Sequence, residues 1–370
     1  MRSLHITDRL SSRGGADWHL LGVLDALGGD ELHLAVGQDD GTAARPCPLT
    51  VLEPLAARLR VDVCDAGQHI EAGLEQLLDR FSPHIIHVHN VVNPTVLEWA
   101  ADRGAVMTVQ DHRCFCPGRG KVTEDNQVCH DAMSRQVCTD CFSDEGYFGE
   151  LLALTHARLA AVRRMRLTVL SNYMKRELVA VGVPKDSVAV IAPFVHGLDL
   201  DAEADGPPCV LFVGRVVAAK GILEAIEAWR RSGVGLPLVI AGTGSERHTA
   251  EAAGCEVLGW VSHADLSRLY RRARAVLLPS RWQEPFGIVG LEALTMGVPV
   301  VAWESGGVSD WHAGELVPWG DVEGLARALR RAVSEPASIP AGFERQHLMD
   351  KLARLYHEMK SPLHRSRLAE

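Results

Sequence analysis

The chain predicts a parallel α/β fold in two domains, and three observations carry that expectation. Short apolar runs alternate with helix-like stretches along the whole sequence, the rhythm of strands joined by crossover helices. At 370 residues the chain is too long for one ordinary domain and comfortable for two, each with its own core. Residues 197–208 are acidic, carry Gly and Pro and show no periodicity, as a linker would. The expected organisation is a first domain over 1–196, a second over 209–342, and a closing segment over 343–370.

Taken in order, strands are expected in the first half at Ser3–Thr7, Glu31–Val36, Arg60–Val63, His84–His89, Ala105–Val109, Leu167–Leu170 and Val188–Ile191. The Gly turn Ser11–Gly15 follows the first of them and opens a helix, Ala16–Leu27. In the second half the expected strands are Cys209–Val213, Leu238–Ala241, Glu256–Leu258, Ala275–Leu278, Val298–Ala302 and Leu316–Val317. Ser262 with Asp265 three residues on forms a capping box, and Asp321 suits the N-cap of a helix over Val322–Val333. The last helix, about Phe343–Met359, is long enough to return to the first domain.

Composition excludes several classes. A formal charge of −9 argues against general nucleic-acid binding, which needs a basic face. No apolar run reaches the ~18 residues of a membrane span. The opening MRSLHITDRLSSRGG lacks the apolar centre of a signal peptide, so a cytoplasmic address is expected.

Chemistry concentrates in RWQEPFGIVGLEALTMGVPVVAWESGG, Arg281–Gly307. Glu284 and Glu292 flank a Pro-Phe-Gly turn that opens a helix at Gly287. Such a junction exposes backbone N–H groups and the positive end of a helix dipole, which suits a phosphate. Glu284 precedes the turn, whereas Glu292 lies about one helical turn inside. Upstream, a buried strand ends in Gly214-Arg215, and Lys220-Gly221 begins the next helix. Taken alone, Arg215 and Lys220 would read as ordinary surface cations. The run LVIAGTG sets Gly242 and Gly244 at a strand end, where backbone can approach a ligand closely. Trp260 and Val261 end another strand at a helix entrance.

This series resembles the donor site of the family-four retaining glycosyltransferases of the GT-B fold. It consists of Gly-Arg…Lys-Gly, Gly-x-Gly, Gly-Trp-Val, Glu-x7-Glu and Gly306-Gly307, and it spans most of residues 209–335. The resemblance implies two Rossmann-like, doubly wound domains facing across a cleft, with the nucleotide-sugar donor bound by the second. On that basis Glu284 meets the transferred sugar and Glu292 the ribose. Phe286, Gly287 and Ile288 present backbone to the diphosphate or sugar, and Trp260 and Val261 meet the base; otherwise Trp260 is a core or interface aromatic. Arg215 and Lys220 neutralise the departing diphosphate, so no catalytic metal is expected. Asp199-x-Asp201 matches a metal motif in letters only and lies in the expected linker. The resemblance also implies retention of anomeric configuration, with leaving-group phosphate accepting the acceptor's proton. The donor is then a UDP- or GDP-linked sugar, and the acceptor is a small molecule, a lipid-linked group or a glycan. A nucleotide-sugar epimerase on the same fold is one alternative. A non-catalytic or redox-responsive sugar-nucleotide-binding protein is the other.

In the first half, the resemblance lets Gly14-Gly15 cover the diphosphate. His87 and His89 alternate onto one face; they read better as hydrogen-bonded strand-end histidines than as metal ligands. In TVQDHRCFCP the family's usual His-Asp pair is displaced. Gln110 occupies the His slot, followed by Asp111 and His112, which are either site residues or a loop that caps the strand.

Five of nine cysteines fall within residues 114–141. Cys138-x-x-Cys141 turns two sulfurs toward one point, and Cys116 with Cys129 can complete a structural zinc site, with His130 or Cys114 as substitutes. Disulfides, free thiols and an iron–sulfur cluster are the other readings. The insert also resembles a Cys-Pro and Cys-x-x-Cys element of one branch of the family, on the acceptor side.

Overall fold

The computed structural model describes residues 1–56, 63–337 and 340–360. The chain divides into two units, Met1–Pro193 with the segment from Glu344 onward, and Phe194–Phe343. The stretch 197–208, expected as a linker, lies inside the second unit. Side chains of one helix tie it down there: Asp199 N–H donates to Ser267 Oγ at 2.9 Å, and Arg271 and Arg272 donate to the carbonyls of Leu200 and Pro207.

The first unit begins β1 (Arg2–Leu10), α1 (Gly15–Ala26), β2 (Glu31–Asp39), β3 (Leu49–Val51), α2 (Val63–Phe81), β4 (Ile85–Val88), α3 (Pro94–Asp102) and β5 (Val106–Val109). It continues with α4 (Arg135–Cys138), α5 (Glu145–Val162), β6 (Arg166–Val169), α6 (Asn172–Ala180) and β7 (Val188–Val190). The second unit holds β8 (Cys209–Val213), α7 (Ile222–Ser232), β9 (Leu238–Ala241), α8 (Arg247–Ala252), β10 (Glu256–Gly259), α9 (His263–Arg272), β11 (Ala273–Leu278), α10 (Ile288–Thr295), β12 (Val300–Ala302) and α11 (Val322–Ala332). Then α12 (Arg345–Lys360) returns to the first unit.

Seven parallel strands in the order β3-β2-β1-β4-β5-β6-β7 form the first sheet, and five in the order β10-β9-β8-β11-β12 form the second. Both sheets are doubly wound. Each reverses once, between β1 and β4 and between β8 and β11, and ligands of such sheets bind outside the strand ends at the reversal.

Most expected strands are present within one or two residues. Two expectations differ, and one strand was not expected. Arg60–Val63 falls mainly outside the described residues, and Val63 opens α2. Leu316–Val317 is reduced to a single bridge between Val317 and Trp303. β3, three residues at a sheet edge without buried side chains, carries no pattern to read. Local capping follows the sequence: Ser262 Oγ accepts the Asp265 N–H at 3.2 Å, and Asp321 Oδ1 accepts that of Gly324 at 2.7 Å.

Leu4, Ile6, Val88, Met107 and Leu167 of the first sheet pack on Val96, Leu97 and Ala100 of α3 and on Leu159 and Val162 of α5. In the second sheet Val210, Phe212, Ile240 and Leu277 meet Ile222 and Ala225 of α7 and Leu325 and Leu329 of α11. No helix among the described residues is long and apolar enough to cross a membrane.

One face of the first sheet is buried yet polar. Ser3 Oγ lies 3.1 Å from His5 Nε2, and His5 Nδ1 lies 3.0 Å from His89 Nε2. His87 bonds the Tyr356 hydroxyl of α12 at 2.6 Å and Thr108 at 2.7 Å, and Thr108 in turn bonds Thr168 at 2.7 Å. His87 and His89 share the face, ring centroids 3.9 Å apart. Burial drives the His5 pKa down to about 3 and those of His87 and His89 well below their usual value, so all three are neutral. Tyr356→Phe should cost about 1–3 kcal/mol, because it strands a buried imidazole nitrogen. Urea denaturation at pH 7 measures the loss, and an unchanged midpoint would show that the bond adds nothing.

Candidate functional site

The reversal of the second sheet brings together the ends of β8 and β11. β8 runs out through Gly214 into Arg215, which is exposed and outside the ion pairs formed among the described residues. The chain then makes a short turn ending in Lys220. β11 runs out through Ser280 to Glu284. Lys220 Nζ bonds Glu284 Oε1 at 2.8 Å and sits 4.3 Å from the centre of the Trp282 ring. This ion pair joins the two sides of the reversal.

Glu284 is held from several directions. Its Oε1 also accepts the Ser280 hydroxyl, its N–H donates to Ser305 Oγ at 3.2 Å, and its carbonyl accepts the Gly307 N–H at 2.7 Å. A Cβ at Gly306 would lie 2.2 Å from the Glu284 carbonyl oxygen, so only glycine lets these two loops touch. Burial opposes the Glu284 charge. The Lys220 cation, with hydrogen bonds from Lys220, Ser280 and Trp282, outweighs it and holds the carboxyl below its ordinary value.

Two residues on, Phe286 is buried against Trp311 and Phe343, and its carbonyl accepts the Trp311 indole N–H at 2.6 Å. That carbonyl is therefore engaged within the protein. Gly287 caps α10, and Ile288 begins it. The first amides of α10, ahead of Gly290, whose N–H donates to the Gly287 carbonyl at 2.9 Å, sit at the positive end of the helix, an arrangement suited to an anion. Glu292, buried one turn in, accepts the Tyr270 hydroxyl at 2.9 Å and lies 3.5 Å from His263 Nε2. Burial and the Glu292 charge push the Tyr270 hydroxyl well above its usual pKa.

Gly242 and Gly244 follow β9. A Cβ at Gly242 would overlap the Gly214 carbonyl oxygen at 1.7 Å, so the ends of β8 and β9 meet through backbone alone. Trp260 is 52% exposed between β10 and α9, which rules out a place in the core; Val261 beside it is half-buried.

In the first unit Gly14 is the N-cap of α1 and Gly15 its first residue. Asp111 caps the turn His112–Cys114: Oδ1 accepts the Arg113 N–H at 2.9 Å and Oδ2 its Nε at 2.7 Å. Arg113 also bonds Asn90. His112 is buried, with Nε2 3.0 Å from the Tyr173 hydroxyl. Both residues thus have the geometry of a cap and a packed hydrogen bond. Gln110 Nε2 lies 3.0 Å from His19 Nδ1. Three buried polar atoms at these strand ends have no partner among the described residues: Asp8 Oδ1, His89 Nδ1 and Gln110 Oε1. Burial pushes the Asp8 carboxyl up to about 7, although Arg113 and Arg158 oppose the rise.

The sequence reading missed Asp8, His19, Arg113, Tyr173, Tyr270, Ser280 and Trp282. Ser280, Trp282 and Arg113 lay next to motif residues and were within reach of it. Tyr270 meets Glu292 across 22 positions, and Asp8 sits alone at a strand end; neither carries a local signal.

Residues 201–355 match the family of glycosyl transferases group 1. An alpha-D-kanosaminyltransferase of Streptomyces kanamyceticus is 33% identical over 181 residues, 42% of this chain and 47% of that protein. A glycogen synthase of Mycobacterium tuberculosis is 36% identical over 148 residues, 36% of each. The chain therefore spans between about a third and a half of these curated relatives. Among solved structures, HepE of Anabaena in complex with UDP-glucose superposes with a TM-score of 0.69 at 16% identity, covering 97% of this chain and all of that one. The sucrose-phosphate synthase of Thermosynechococcus elongatus gives 0.66 at 17%, covering 97% and 99%. The chain has the GT-B fold of these glycosyltransferases. Over residues 201–355 it is similar to the glycosyl transferases group 1.

Because the native pKa of Glu284 is depressed, its stabilisation is full above the unfolded value of about 4.3 and is lost as pH falls through the folded value. Lys220→Ala leaves a buried carboxylate unpaired and should cost about 3 kcal/mol at pH 7. The gap from wild type should narrow as the solution is acidified. Denaturation of both proteins across that range measures it, and a gap independent of pH would mean that Lys220 stabilises by packing alone.

Proposed function

We propose that the protein is a retaining glycosyltransferase that moves a sugar from a nucleotide-diphosphate sugar, UDP- or GDP-linked, to a hydroxyl group of an acceptor. The observation that carries this reading is the group at the reversal of the second sheet. Lys220 paired with Glu284, the exposed Arg215 and the open end of α10 combine fixed positive charge with a positioned carboxylate.

Bond cleavage in the donor leaves charge on the diphosphate, and that charge must be absorbed in place. Arg215 and the first amides of α10 supply fixed, preorganised donors for it. Lys220 can serve both the diphosphate and Glu284, which it keeps ionised. Glu284 then accepts hydrogen bonds from sugar hydroxyls. Glu292 is oriented by Tyr270 for the ribose, and Trp260, exposed at the mouth of α9, offers an apolar face to the base. On this reading the leaving phosphate oxygen takes the acceptor's proton, and fixed cations do the work of a divalent ion. That HepE is solved with UDP-glucose on a similar fold supports the choice of donor class.

Asp8, His89 and Gln110, with their unpartnered polar atoms at the strand ends of the first sheet, are the acceptor-side candidates. A small molecule, a lipid-linked group or a glycan would each supply the hydroxyl, and the reading includes a cytoplasmic address.

Arg215→Ala and Glu284→Gln should each lower kcat by about 10²–10³-fold, the usual cost of removing one preorganised electrostatic partner. Arg215→Ala should keep a near-native melting temperature, whereas Glu284→Gln, which removes one partner of the Lys220 ion pair, should lower it, so kcat is taken per folded enzyme at a temperature below both transitions. The assay is release of nucleoside diphosphate from a panel of nucleotide sugars with candidate acceptors, run with and without EDTA. Wild-type turnover in either variant, or full loss with EDTA, would overturn the assignment.

A further inference from the structure

The segment between β5 and α5 folds as a turn, a hairpin and a short helix, and cysteines sit in each. Cys116 opens the turn Pro117-Gly118-Arg119-Gly120. Lys121, which ends it, adopts a left-handed backbone (φ 62), a conformation that a long side chain takes only under constraint. That conformation turns the Lys121 N–H back onto Cys116 Sγ at 3.5 Å. The side chain fixes it: buried Nζ donates to the Asp131 carbonyl at 2.6 Å and pairs with Glu177 of α6 at 3.0 Å.

Val122 then pairs antiparallel with Val128, and the Cys129 N–H bonds the Lys121 carbonyl at 2.9 Å. The hairpin thereby returns Cys129 to the residue that caps Cys116. Next, Ser134 caps α4, which ends in Cys138, and Cys141 closes the following turn. The two halves meet: a Cβ placed at Gly118 would lie 3.8 Å from Cys141 Sγ. Cys114 stands apart, buried in the first core against Phe115 and α5 residues, with its thiol driven up to about 12 by burial.

We propose that Cys116, Cys129, Cys138 and Cys141 bind one zinc ion as a structural four-thiolate site that fastens residues 116–141. The four candidate ligands are all sulfurs, which selects a soft or borderline metal over calcium or magnesium. Arg119 lies within the segment and offsets part of the net negative charge of a four-thiolate zinc centre, while Lys121, paired with Glu177, fixes the turn. Binding forms four Zn–S bonds, releases the thiol protons to solvent and involves no change of oxidation state.

The segment needs the crosslink. Its own apolar cluster is Cys138, Phe148 and Leu152 with Met133 and Phe142, too few side chains to hold a turn and a hairpin in place. Metal entry must draw the sulfurs inward. Among the described residues, a trio of ligand atoms all within 4.8 Å of one another occurs at His5, His87 and His89 and not among the cysteines. The histidine trio is the poorer site despite its closeness. Both nitrogens of His5 and of His87 are in hydrogen bonds, and no carboxylate there offsets a divalent charge. Zinc binding at the cysteines is independent of whether the protein transfers sugar.

The test uses the full chain purified from zinc-supplemented culture. Elemental analysis should find about one zinc per chain. Titration of the native protein with a mercurial reagent, beside a zinc-sensitive dye, should release that zinc as about four thiols react. A chelator should lower the melting temperature. Cys138→Ser/Cys141→Ser should lose the metal, whereas Cys47→Ser should keep it. Should the double variant fail to fold, the mercurial titration of wild type decides. A chain without zinc whose thiols react freely would overturn the site. So would a disulfide among these cysteines under non-reducing peptide mapping, or the visible absorbance of an iron–sulfur cluster.

Discussion

The ion pair between Lys220 and Glu284 is the contact on which the reversal of the second sheet depends. Taking two charges out of water is costly, and the pair recovers that cost only because further groups complete it: Ser280 on the carboxylate and Trp282 beneath the ammonium. A folded core gains little from such a pair compared with apolar side chains of similar size. Its position explains it better. It spans the single reversal of a five-stranded parallel sheet, where crossovers leave to opposite sides and the strand ends stay uncovered. Gly306 then lets the Ser305–Gly307 loop close on the Glu284 backbone, so the carboxylate is fixed by main chain as well as by charge.

Polar side chains are used differently in the first unit. A run of neutral imidazoles and hydroxyls crosses the face of the first sheet that meets α12, from Ser3 through His5 to His89 and from Tyr356 through His87 to Thr108 and Thr168. Each member satisfies its neighbour, and the low dielectric of the interior makes such a network specific in its geometry. Satisfaction ends at the rim, where Asp8, His89 and Gln110 each keep one unpartnered atom. A buried polar atom left open in a folded protein is a standing cost, and a hydroxyl-bearing ligand is one way to remove it.

Much of this was legible beforehand. The alternation of apolar runs placed nearly every strand, because parallel strands buried on both faces read as short continuous apolar segments. The residues proposed for the donor were named because their motif series resembles that of a known family, and Glu284, Gly287, Glu292 and the Gly306-Gly307 pair of that series lie in one short stretch. Other features could not be read. The segment 197–208 reads as a linker until Ser267, Arg271 and Arg272 are seen to hold its backbone. Asp111 and His112 read in sequence either as site residues or as a loop that caps the strand, and only the folded chain shows Asp111 bonded to Arg113 and His112 to Tyr173. Trp260 was ambiguous between ligand contact and core, and its exposure excludes the core.

By itself, then, the sequence determined the elements and the count of two α/β units, because those follow from periodicity and turn chemistry, and it marked Glu284, Gly287 and Glu292 through a motif that resembles a known family. Tertiary structure alone decided which charges meet. Lys220 and Glu284 are 64 positions apart, Tyr356 and His87 are 269 apart, and whether such groups touch is set by strand order and helix packing, to which local pattern is blind.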